Sequence, residues 1–184
     1  MIGFLVVLAL AVALLLWAVL IYNGLVRMRS TVEEAWSGID VQLKRRTDLI
    51  PNLVSTVKGY AAHEKGTLEE VIRLRGLAQN AHGVGETAQA QGLLGAALGK
   101  LFALAESYPE LKANANFAQL QASLGEIEDQ VQLARRYYNG AVRNLNIAVD
   151  SFPSNLVAGR FGFAKAEFFE LENQSERTVP TVAF

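Results

Sequence analysis

Cysteine is absent from the 184 residues, which excludes disulfides, thiolate-bound zinc, iron–sulfur clusters and a thiol nucleophile. Histidine occurs only at His63 and His82. Neither has a glutamate three positions away, so the Glu-x-x-His ligand pairs of di-iron helical proteins are missing, and His63-Glu64 lacks a second histidine at the zinc-protease spacing. Charge of one sign is not in excess: 17 Lys and Arg stand against 18 Asp and Glu, leaving no basic field to hold nucleic acid. Lys44-Arg45-Arg46 is too short for such a patch and reads as a charged helix face. The acidic neighbours Glu33-Glu34, Glu69-Glu70 and Glu126, Glu128, Asp129 point ~100° apart per residue on a helix and read as solvated faces rather than acid–base pairs. Gly95-Ala96-Ala97-Leu98-Gly99-Lys100 has one residue too few between its glycines for a phosphate loop and no Ser or Thr after the lysine. Gly92 to Gly99 read instead as close helix packing. No catalytic, cofactor-binding or metal site is expected, and the chain reads as non-enzymatic.

What is present is concentrated at one end. Residues 2–21 carry no polar side chain except the indole of Trp17. A bilayer core needs ~20 apolar residues at ~1.5 Å each, so this run is long enough to span it, with Trp17 and Tyr22 at the end where amphipathic rings favour headgroups. A cleaved signal peptide is the competing reading. It fits less well, because no Lys or Arg precedes the run, the run is too long, and Leu20-Ile21-Tyr22 is no small-residue cleavage site. Arg27, Arg29, Lys44, Arg45 and Arg46 all follow the span, which by the positive-inside rule leaves the N-terminus outside and the following domain in the cytoplasm.

Beyond the anchor (residues 1–22) a helical domain is expected over 23–152. Positions 22, 25, 29, 32, 36, 39, 43, 46 and 50 step by three and four, giving one buried stripe, with Arg29 and Arg46 at its edge. With no break between Ile21 and Tyr22, the first helix of the domain continues the transmembrane helix. Pro51 predicts a turn or sharp kink, with Asp48 capping a second helix that Gly83-Val84-Gly85 ends. A third helix follows through Leu104. Ser107 and Glu110 form a capping box for a fourth, in which Phe117, Leu120, Leu124, Ile127, Val131, Ala134, Tyr138, Ala141, Leu145, Ala148 and Phe152 repeat without a miss. The fold class is therefore all-α: a transmembrane helix continuing into an antiparallel up-and-down four-helix bundle. The fourth helix is longer than the third, so part of its heptad seam is expected to lack cover within the chain and to favour a homo-oligomer.

Tyr22-Asn23-Gly24-Leu25-Val26-Arg27 recurs as Tyr138-Asn139-Gly140-Ala141-Val142-Arg143. In an up-and-down bundle both copies fall at the membrane-proximal end, so Tyr22, Asn23, Arg27, Tyr138, Asn139 and Arg143 are candidate residues of a helix clasp or interaction site, the glycines permitting close approach. Residues 153–184 are apolar without period and read as an irregular tail. Leu156, Phe161 and Phe163 there are candidates for membrane-surface contact, the alternative being that they cap the domain's own core.

Longer motifs carry a resemblance. Val32-Glu33-Glu34-Ala35-Trp36, Ile39-Asp40-Val41-Gln42-Leu43-Lys44-Arg45-Arg46, Asp48-Leu49-Ile50-Pro51-Asn52-Leu53-Val54, Glu106-Ser107-Tyr108-Pro109-Glu110-Leu111-Lys112-Ala113, Arg135-Arg136-Tyr137-Tyr138-Asn139, Ser151-Phe152-Pro153-Ser154-Asn155 and Val182-Ala183-Phe184 resemble the signature of the LemA family. The resemblance implies a bacterial, single-pass inner-membrane protein with a helical-bundle domain, and no reaction. It links the chain loosely to envelope or membrane-organelle biogenesis and to other envelope membrane proteins. Two functions follow as expectations: a membrane scaffold or adaptor that self-associates, or a membrane-tethered sensor binding a small molecule or peptide between helices. The partners expected are the lipid bilayer, further copies and other membrane proteins, without nucleic acid or cofactor.

Overall fold

The computed structural model describes residues 1–61 and 64–170, so His63 and the closing Val182-Ala183-Phe184 lie outside the described residues. Every regular element described is helical: α1 (Ile2–Lys58), α2 (Lys65–Asn80), α3 (Gly83–Ala105), α4 (Pro109–Lys112), α5 (Ala115–Asp150) and α6 (Ser154–Phe161). At 57 residues α1 is about 86 Å long. Its most apolar stretch is wholly uncovered by the rest of the chain. The helix passes Ile21, Tyr22 and Gly24 without interruption, as the lack of breakers there predicts.

The turn expected at Pro51 is corrected: α1 runs through it for seven more residues. Proline has no N–H to give the carbonyl four residues earlier, which normally costs an interior helix ~3 kcal/mol. Here that carbonyl belongs to Thr47, a buried residue, and Arg75 of α2 donates its Nε–H to it at 2.8 Å. The donor lost from the backbone is replaced by a side chain. Asp48 therefore caps nothing, and the helix ends where Tyr60 and Ala61 turn back onto the Val57 carbonyl.

The chain divides into two compact units. One comprises, among the described residues, 39–135 and 168–170. Its core draws on Ile50 and Leu53 of α1, Val71 of α2, Leu94 of α3, Leu111 of α4 and Phe117 of α5. Two sequence expectations fail locally. Gly83-Val84-Gly85 opens α3 rather than closing α2: Gly83 takes φ +77°, which glycine adopts without strain, and Glu86 accepts a hydrogen bond from the His82 N–H at 3.1 Å. The Ser107–Glu110 capping box does not form, because the residue before Pro109 is driven off helical geometry and Tyr108 occupies the cap position at φ −119° without a side-chain cap bond. The long helix starts instead after Asn114, whose Oδ1 accepts from the Phe117 N–H at 3.0 Å while its Nδ2 donates to the Tyr60 hydroxyl at 2.9 Å.

The other unit comprises residues 1–38 and 136–167. Leu25 of α1 packs with Val157 and Ala158 of α6 and with Phe163. Tyr138, Ala141, Val142 and Leu145 on α5 are all buried, and so are Phe117, Leu124, Ile127 and Val131 earlier on it. The seam expected in part to lack cover is covered from Phe117 to Leu145, and its last residue, Phe152, is 79% exposed. Its cover includes α6, which lies inside the stretch read from sequence as irregular. That helix ends at Gly162, in the left-handed conformation at φ +72°, and Phe163 returns its N–H to the Ala158 carbonyl.

Replacing Arg75 by Met is expected to lower stability by ~1 to 2 kcal/mol, the cost of leaving a buried carbonyl without a donor. Pro51→Ala restores the backbone donor, so in that background the Arg75 substitution should cost measurably less. Urea unfolding of the four detergent-solubilised variants gives the coupling; strict additivity would contradict the assignment.

Candidate functional site

The first candidate lies where α1 leaves its apolar run. Tyr22 meets Phe161 edge-on with ring centroids 5.0 Å apart, and Phe163 at 5.5 Å. Arg29, two turns further along α1, sets its guanidinium 5.4 Å over the Phe163 ring. Fourteen residues beyond Tyr22 on the same helix, Trp36 lies 5.4 Å from Tyr138. The buried Tyr138 hydroxyl donates to the Glu167 carbonyl at 2.8 Å; burial, and secondarily the Glu167 charge, push its pKa above the ordinary phenol value. Asn146 clamps the same segment twice, donating to the Ala166 carbonyl at 2.9 Å and accepting from its N–H at 2.8 Å. The chain after α6 is thus held on α5 by side chains that bond its backbone.

Tyr22 takes ring partners from Phe161 and Phe163, whereas Tyr138 packs on Trp36 and donates to the Glu167 carbonyl. Asn23, Arg27 and Arg143 are exposed and Asn139 is half-buried. A Cβ at Gly24 or Gly140 would meet nothing within 4 Å, so close approach is not what these glycines provide. Of the three tail residues, Phe163 is buried, while Leu156 and Phe161 are 62% and 60% exposed. Asn146 went unnoticed in the sequence, its only signal being an amide beside an apolar stripe.

The second candidate is a groove of about 790 Å³ in the unit of residues 39–135. Gly92, Gly95 and Gly99 of α3 and Gly125 of α5 line it. Close helix packing is corrected here as well: a Cβ at Gly92, Gly99 or Gly125 would enter open space, and only at Gly95 would it come within 3.1 Å of a neighbour, the Arg46 guanidinium. Arg46 is not at the edge of its stripe. Its side chain is mostly covered, 11% exposed, and pairs with Glu128 at 3.3 Å; desolvation lowers its pKa and the Glu128 charge partly offsets that. Gln91, only 2% exposed, has no hydrogen-bond partner for its Oε1 among the described residues. Chemically the groove offers a mostly covered cation, an unmatched acceptor and apolar walls at Leu98 and Phe102. That suits binding.

The sequence model of one family matches residues 35–184. The chain belongs to the LemA family. The LemA match takes in the groove, α5 and α6, and begins after the apolar run of α1. Among curated relatives, a protein named magnetosome protein MamQ 2, from Paramagnetospirillum magneticum, is 29% identical over 81% of this chain and 64% of its own length. Magnetosome protein MamQ of Magnetospirillum gryphiswaldense is 27% identical over 80% of this chain and 64% of its own length. Protein LemA of Metamycoplasma hominis is 25% identical, covering 80% of this chain and 68% of that protein. The chain thus spans just under two thirds of the length of the magnetosome relatives. With its apolar N-terminal helix it is a membrane-associated LemA-family protein.

The Arg46–Glu128 pair yields an asymmetric expectation. Glu128→Gln strands a mostly covered guanidinium and should cost ~1 to 3 kcal/mol, below the value for a fully buried pair because Glu128 is itself 39% exposed. Arg46→Met leaves a carboxylate that water can reach and should cost less. Chemical unfolding of the two variants checks the order, and the reverse order would contradict it.

Proposed function

We propose that the chain is a non-enzymatic, membrane-anchored scaffold or adaptor that self-associates and supports envelope or membrane organisation. The observation that carries this reading is the continuity of α1: the helix that supplies the apolar span also supplies Leu25 to one core and Ile50 and Leu53 to the other. One helix thus joins the span to both cores without an intervening loop. Relatives named as magnetosome proteins agree with work at a membrane. Self-association draws support from Tyr137 and Ile147, large apolar side chains left exposed on α5. In this reading α2, α3, α5 and the end of α1 form an antiparallel up-and-down four-helix bundle. The N-terminus is outside the inner membrane and the domain cytoplasmic, because the basic residues follow the span.

A second reading, a tethered sensor for a small molecule or peptide, is favoured by the groove with its mostly covered Arg46 and unmatched Gln91. Mass measurement of the detergent-solubilised full-length chain separates the two. Scaffolding predicts a dimer or larger assembly, and a monomer whose melting rises with ligand at constant mass predicts the sensor. Protease added outside intact spheroplasts should leave the domain uncut; loss of the domain would reverse the topology.

A further inference from the structure

Three features of α6 and its approach converge on a second contact with lipid. The first is chemistry: Leu156 and Arg160 stand four apart on α6 and so share one face of it, Phe161 adjoins Arg160, and Phe152 lies two residues before the helix begins. The second is exposure. Phe152 is 79% exposed, Leu156 and Phe161 are little less so, and Arg160 is exposed, although Val157 and Ala158 on the same short helix are buried. The third is position. Phe161 packs on Tyr22, the residue immediately after the apolar run 2–21, and α6 is fixed there by Leu25, Ile21 and Val26.

An apolar run of 20 residues matches the thickness of a hydrocarbon core, so Tyr22 falls at the headgroup layer. Whatever is clamped to Tyr22 is at that depth too. We propose that the face formed by Phe152, Leu156, Phe161 and Arg160 is an interfacial lipid-binding surface, with its apolar side chains in the headgroup and upper acyl region and Arg160 against anionic headgroups. Phe163 is excluded from it, because its ring is buried between Leu25, Tyr22 and Arg29. The occupant is the bilayer rather than a second copy because the face is continuous with the end of the span, where lipid is already present on all sides of a single helix. Apolar residues with one basic partner on a short helix are the composition that interfacial binding selects.

The proposal rests on residues 2–21 spanning the bilayer, and its test keeps the two apart. Because the chain contains no cysteine, a single substitution gives a unique attachment point for an environment-sensitive fluorophore. Full-length chains carrying Leu156→Cys, Phe161→Cys, Val12→Cys or Leu77→Cys, each labelled, are reconstituted in phosphatidylcholine vesicles with nitroxide on the acyl chain, near the ester for 156, 161 and 77 and near the terminal methyl for 12. Labels at 156 and 161 should be quenched severalfold more than the label at 77, an exposed position on α2. Adding phosphatidylglycerol should raise that quenching, and Arg160→Glu should abolish the gain. If the label at 12 is quenched while 156 and 161 match 77, the span stands and the interfacial surface is refuted. Energy transfer between labels at 156 on different copies, without lipid quenching, refutes it in favour of a second copy. Absence of quenching at 12 removes the span and the proposal together.

Discussion

The unbroken backbone ladder of α1 is the constraint on which everything else depends. A helix inside hydrocarbon must satisfy its own N–H and C=O groups, and once begun it has no reason to stop at the headgroups unless the sequence supplies a breaker. None is supplied at Ile21-Tyr22. The same bonds that make residues 2–21 tolerable in lipid therefore continue into the segment that organises the water-exposed part. Apolar positions change meaning along one helix: the large ones up to Leu20 are left uncovered by the rest of the chain, while Leu25, Ile39 and Ile50 are covered by it.

Keeping that ladder intact has a visible cost at Pro51, where a donor is missing from a buried stretch of helix. Arg75 offsets it with a 2.8 Å bond to the orphaned Thr47 carbonyl. This ties an α2 side chain to the α1 backbone, in addition to the apolar packing between the two helices. Asn114 acts similarly, capping α5 with one side-chain atom and holding Tyr60 with the other. Asn146 and Tyr138 do the same for the segment after α6. In each case a polar side chain bonds main-chain atoms or closes a helix end, and the buried polar groups are largely matched. Gln91 is the exception, and it lies in the groove beside Arg46.

Much of this was legible in the sequence. The span, its continuation past Tyr22 and the stripe of α5 are written in runs and periods that neighbouring residues impose, and Val131, Tyr138 and Leu145 are buried where that period puts them. What was not legible depends on residues far apart. Pro51 reads as a breaker because the donor that compensates for it, on Arg75, lies 28 residues along the chain from the Thr47 carbonyl that it bonds. Ser107 outranks Asn114 as a cap by local pattern, and Pro109 overrules the pattern. Glycines at 24, 92, 99 and 140 suggest close approach, yet a Cβ there would meet nothing within 4 Å, since a glycine's reason can be space as well as contact. Phe163 and Phe161 look alike in sequence and separate only because Gly162 turns the chain between them.

The account makes the membrane exit a continuous helix, and spin labels at Leu10→Cys and Met28→Cys test this most directly. Eighteen residues of helix place the labelled positions about 27 Å apart. In reconstituted full-length chain, dipolar spectroscopy should give a single narrow distance distribution centred near that separation. A broad distribution, or a maximum well short of it, would mean that α1 breaks or hinges at the bilayer surface and that the domain hangs from the anchor instead of growing out of it.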